Sequence, residues 1–99
     1  MSNQLHQLNR VNELLRREQD RERLASLLPG GSRERPIVVA SAAVIEPRVL
    51  RTPCLHCGGE YRVHEHERAA PSVRRVDAGC RQCSALRTIW FRLVPDELN

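Results

Sequence analysis

Cys54-Leu55-His56-Cys57 and Cys80-Arg81-Gln82-Cys83 are the two stretches that decide how this chain folds. They hold all four of its cysteines, and 22 residues lie between them. A CxxC pair places two sulfurs on one tight turn, and two such turns set face to face supply the tetrahedral thiolate cage that Zn²⁺ prefers. The separation is long for a compact finger and suits a hairpin that leaves the first turn and returns to the second. The reading is one structural zinc ion on Cys54, Cys57, Cys80 and Cys83. Structural disulfides and a redox dithiol are the alternatives. The second needs an exposed thiol of low pKa, usually at a helix start, and neither pair clearly opens a helix.

Around the first pair, Pro53-Cys54-Leu55-His56-Cys57-Gly58-Gly59 has glycine just past the second ligand, where the backbone must turn tightly. After the second pair, Ser84-Ala85 follows Cys83 with no glycine, so a looser or differently shaped turn is expected there. With these motifs the chain resembles the zinc-ribbon class, in which knuckle, strand, turn, strand, knuckle and strand succeed one another. It is similar to short uncharacterised bacterial zinc-ribbon proteins. The resemblance covers about half of the chain, is silent on the first third, and implies a fold but no activity.

Size and composition explain why a metal is needed. The 99 residues make one small domain with an appendage. Aromatic residues are 3% and charged residues 28%, so the ribbon half buries too little apolar surface to fold without a staple. Zinc is that staple, and its loss is expected to unfold residues 54–94. The 16 basic residues are all arginine and the formal charge is +4. Four thiolates on one Zn²⁺ contribute −4 + 2 = −2, which brings the folded chain to about +2 and weakens any case for nucleic acid from charge alone. The N-terminus has no positive run followed by an apolar core, and no apolar stretch approaches membrane-spanning length. A cytoplasmic address with reduced thiols and no membrane association is therefore expected.

Residues 3–28 read as one long helix. Leu5, Leu8, Val11 and Leu15 recur at three- and four-residue steps, and Glu13 with Arg17 makes an i,i+4 pair. Ser2 caps the start and Pro29-Gly30-Gly31 stops it. At 1.5 Å per residue the helix would span about 39 Å, more than the ribbon can cover. Three readings compete for its apolar face: folding back on the same chain, a coiled-coil dimer, and docking on a partner protein. Glu18 and Glu22 fall at seam positions and weaken the dimer. Partner docking leads, because isolated apolar anchors at helical spacing suit a groove on another protein.

The expected organisation is a helix over 1–28, a flexible linker over 29–36 and a ribbon domain over 37–99. Within the last, the apolar run 37–45 lies between Pro36 and Glu46-Pro47, and its β-branched ends favour a strand packed on the ribbon sheet. Strand exchange with a second copy or pairing with a partner's sheet is the alternative. Residues 48–52 are expected to be extended. The ribbon strands are placed at 60–67, 72–78 and 87–94. Alternation sets Tyr61 and Val63 against Arg62, His64 and His66, and makes Ile89, Phe91 and Leu93 a core face opposite Thr88, Trp90 and Arg92. The fold class is small α+β, a zinc-stabilised antiparallel ribbon of three or more strands after a long N-terminal helix.

No enzyme template is satisfied. His64-Glu65-His66-Glu67 gives neither a helical HExxH nor the His-x-Glu of zinc deaminases, and a closed four-cysteine shell leaves no open coordination position. His64 and His66 are expected as solvated strand residues rather than a second metal site, and His56 as a solvent-facing knuckle residue. The leading function is a non-catalytic zinc-binding adaptor. Its helix, through Leu5, Leu8, Val11 and Leu15, docks on a protein partner or a second copy, and no small-molecule substrate is implied. The second reading is a transcription-related nucleic-acid binder using Arg62, His64, His66, Arg74, Trp90 and Arg92, with Trp90 stacking on bases. Burial of Trp90 under residues 37–45 competes with that surface. A thiol-disulfide protein is third.

Overall fold

The computed structural model describes residues 12, 13, 16, 17, 19, 20 and 22–94. Four strands form one sheet: β1 (Ile37–Val39), β2 (Tyr61–Ala70), β3 (Val73–Cys80) and β4 (Leu86–Leu93), in the spatial order β1-β4-β3-β2. The ribbon is the antiparallel part, β2 on β3 and β3 on β4, with a two-residue turn at Pro71 and Ser72. β1 lies parallel to β4, with Ile37 opposite Phe91 and Val39 opposite Leu93. A parallel neighbour needs a long crossover, and here that crossover contains the first knuckle and the whole β2–β3 hairpin.

The apolar run 37–45 is not one strand. After β1 the chain forms a 3-10 turn, Ala42–Val44, and then a helix over Ile45–Leu50. Ser41 caps the turn, its hydroxyl accepting from the Ala43 amide at 3.1 Å. Alanines over 40–43 have little strand preference, and Pro47 sits in the helix's first turn, where its missing N–H has no partner to lose. Ala42, Ile45 and Val49 recur at helical spacing, and Ile45 and Val49 are fully buried. Residues 48–50, expected to be extended, thus complete this helix. Arg51 closes it by donating to the Pro47 carbonyl at 3.2 Å, and the Thr52 hydroxyl donates to the Arg48 carbonyl at 2.8 Å.

The helix covers one face of the sheet, and the core lies between them. Tyr61, Val76, Ala78, Ile89 and Phe91 supply the sheet side and Ile45 and Val49 the helix side, with Val39, Cys54 and Cys80 at the margins. The face of Ile89, Phe91 and Leu93 is the one expected from alternation. Tyr61 is 1% exposed, and its hydroxyl accepts from the Leu55 amide at 3.3 Å beneath the first knuckle. Burial raises its pKa.

Residues 22–27 are helical, as are the described positions between 12 and 20. We label residues 22–27 α1 and Ile45–Leu50 α2. A single long helix over 3–28 is not shown, and the proposed docking residues Leu5, Leu8, Val11 and Leu15 lie outside the described residues. The stretch 29–36, expected as a flexible linker, makes defined contacts with the sheet. The Gly30 amide donates to the Arg35 carbonyl at 2.6 Å, and its carbonyl accepts from the Trp90 amide at 2.8 Å. Arg35 Nη1 reaches the Leu27 carbonyl at 3.4 Å, and the Arg33 guanidinium stands 5.8 Å from the Trp90 ring centroid. Gly30 is buried, with space for a side chain already taken by Ile37 and Ile89.

Candidate metal centre

Two short turns present the cysteines. In the first, the Cys54 amide donates to the Gly59 carbonyl and the Gly58 amide to the Cys54 carbonyl, both at 2.8 Å. In the second, the Cys80 amide donates to the Ala85 carbonyl at 2.9 Å and the Ser84 amide to the Cys80 carbonyl at 3.0 Å. The two are the same structure twice. Both need a left-handed residue after the second cysteine, and Gly58 at φ 76° fills that role in one and Ser84 at φ 63° in the other. The looser second turn expected from the missing glycine is therefore not found. Serine adopts the strained conformation because the pairing of β3 with β4 closes the loop around it.

The amides also solvate the sulfurs. His56 and Gln82 each donate to the sulfur two positions earlier, on Cys54 and Cys80, at 3.4 Å, and the Gly59 amide donates to Cys57 Sγ at 3.3 Å. Sulfur separations across the turns are 3.6 Å for Cys54 and Cys83 and 3.4 Å for Cys57 and Cys80, and all four ligand atoms lie within 4.8 Å. A tetrahedral cage with metal–sulfur bonds of about 2.3 Å has edges of about 3.8 Å, so this cluster can hold one metal ion. Cys54 and Cys80 are buried at the core margin and Cys57 and Cys83 are exposed.

Without a cation the four thiols divide. Burial pushes Cys54 up, but the Cys57 and His56 amides and the Cys83 and Cys80 thiols outweigh it and bring the pKa down to about 6. Cys80 is also lowered, first by the Cys83 amide. For Cys57 the Gly59 amide acts downward, yet the Cys80 thiol, burial and the remaining two thiols drive it up to about 12. Cys83 is raised as well, since burial and the Cys54 and Cys80 thiols overcome the Ala85 amide. Two lowered and two raised thiols are what mutual repulsion dictates, and a cation is needed to ionise all four.

The remaining residues singled out from sequence are divided between the two faces. A β-bulge between Val63 and Glu65 inserts His64 as an extra residue and moves His66 onto the face of Val76, under α2. There His66 Nδ1 lies 3.5 Å from Glu46 Oε2. His64 and His66 therefore do not share a face. Arg74 stands opposite Phe91 on the covered face, and its Nε is buried. Arg62, His64, Trp90 and Arg92 remain on the open face, where Trp90 is half-buried with Arg33 over its ring. Among the described residues no other group of three or more His, Cys, Asp or Glu side chains converges as the cysteines do. None of those residues forms a helix long and apolar enough to cross a membrane.

Four clustered cysteines on two matched turns of a four-stranded sheet are compatible with a zinc ribbon. No protein-family model, curated protein or solved structure matches the chain.

Relieving the strain at Ser84 is expected to strengthen the site. Ser84→Gly should gain about 0.5–1 kcal/mol, read as a few-fold rise in metal affinity in chelator competition, and Gly58→Ala should lose a comparable amount. Affinity should also rise with pH. Cys57 and Cys83, both raised, enter the complex as thiols at pH 7, so binding releases at least their two protons. As pH falls through about 6, Cys54 takes up its proton and the dependence steepens. Calorimetry in buffers of different ionisation enthalpy measures that release, and a value near zero would contradict the assignment.

Proposed function

We propose that this chain is a non-catalytic interaction protein. One structural Zn²⁺ holds its body together, and its N-terminal helical segment docks on a partner protein in a thiol-reducing, cytoplasmic setting. The observation that carries the reading is the exposure of Leu24, Leu27 and Leu28, at 62%, 50% and 41%. These leucines lie three and four positions apart on α1 and just past it, so they fall on one side. The contacts of Gly30, Arg33 and Arg35 fasten the end of that segment to the sheet edge.

An all-thiolate tetrahedral donor set favours zinc among the common divalent ions. A shell completed by four cysteines supports a structural role, since no position is left for substrate or water. The same leucines suit a second copy of the chain as the competing occupant. A nucleic-acid surface is less favoured by the open face of the sheet. Arg75, between Arg62 and Arg92, is neutralised by Glu67 and by Asp77, and Arg74 and His66 lie on the covered side, so no continuous cationic track links the rest.

A photo-crosslinking residue placed at Leu24 or Leu27 in cells is expected to give one discrete heavier adduct, while the same residue at Glu34 gives none. An adduct of twice the chain's mass would assign the site to a second copy. Absence of any adduct at 24 and 27, with the metal content intact, would remove the reading.

A further inference from the structure

The open face of the sheet carries a cleft of about 460 Å³ beside the second knuckle, walled by Arg62, His64, Gly79, Arg81, Ser84 and Leu86 together with the edge of Cys80. The bulge in β2 makes it. His64, the extra residue, lies over Gly79, and a Cβ at 79 would collide with its imidazole. No carboxylate lines the cleft. Among the described residues, the side chains of Arg62, His64 and Arg81 have neither ion-pair nor hydrogen-bond partners, unlike Arg75 a few ladder positions away. Leu86, 79% exposed, is shared with an adjoining cleft of about 360 Å³ that His64, Arg87 and Thr88 also line, and the carboxylates of Glu65 and Asp77 belong to that second cleft.

Unpaired guanidiniums around a concave surface are suited to a tetrahedral oxyanion, which accepts two parallel N–H bonds from each fork. The metal cage nearby carries −4 + 2 = −2 when a divalent ion is bound. The two guanidiniums offset that charge on the cleft side, so an entering anion meets N–H donors instead of sulfur. We infer that this cleft binds a phosphate-type oxyanion, free or as a monoester, with Arg62, Arg81 and His64 as donors. Leu86 meets the organic body of an ester. The site is separate from the helix leucines and does not depend on what they dock.

The test is an amide NMR titration of the full zinc-loaded chain with inorganic phosphate and with phenyl phosphate, at ionic strength held constant with sodium chloride. Saturable shifts centred on residues 62, 64, 79, 81, 84 and 86 are expected. Tighter binding of phenyl phosphate would identify a monoester site, and equal binding a free-phosphate site. Arg62→Gln with Arg81→Gln should weaken binding on the order of tenfold or more. Leu86→Glu, at an exposed position that leaves the fold undisturbed, should weaken it independently by placing a carboxylate in the cleft. Shifts that never saturate, that match those from chloride, or that persist in both variants with zinc content intact would overturn the assignment.

Discussion

Four sulfur atoms must reach one small volume of space, and the rest of the structure follows from that requirement. Two come from a turn before β2 and two from a turn after β3, so the hairpin joining them returns in register, with Tyr61 opposite Cys80. The amides of His56, Gly59 and Gln82 are directed at sulfurs, and those of Cys54, Gly58, Cys80 and Ser84 at the carbonyls that close the two turns. This leaves the thiolates solvated by backbone but mutually repulsive, and a bound cation relieves the repulsion. A metal held there would act on the fold as a covalent clasp does, while remaining dependent on pH and on reduced thiols.

The second layer is smaller and serves the first. α2 contributes only Ile45 and Val49 to the core, yet with Tyr61, Val76, Ile89 and Phe91 these account for its six largest fully buried side chains. A core of that size is poor support for a domain without the clasp. β1 extends the sheet past β4, and residues 30–35 continue along the same edge. Gly30 is therefore where the N-terminal segment is attached to the body.

How much of this the sequence reveals depends on the range of the interactions involved. The cluster of four cysteines is legible because spacing alone brings paired sulfurs together, and the core face of β4 is legible from the alternation of Ile89, Phe91 and Leu93. The α2 helix is hidden inside an apolar run whose β-branched ends suggest a strand. Its signal is the spacing of Ala42, Ile45 and Val49 together with the Ser41 cap, read against the poor strand preference of the alanines. The bulge at His64 leaves no mark in the alternating string around it, so His64 keeps the expected face beside Arg62 while His66 comes out on the wrong one. The open-face cleft is missed for the same reason. Ser84 in a left-handed turn could be found only by comparing the two knuckles, since tertiary closure overrides its own preference. The parallel pairing of β1 is a contact between distant residues that no local pattern encodes.

The metal's hold on the fold is tested most directly by amide NMR spectra of the reduced chain, metal-free and after addition of one equivalent of Zn²⁺. Residues 54–94 should pass from collapsed, poorly dispersed signals to a single well-dispersed set, with no further change beyond one equivalent. A metal-free, reduced protein that already shows the dispersed spectrum and unfolds cooperatively would contradict the account.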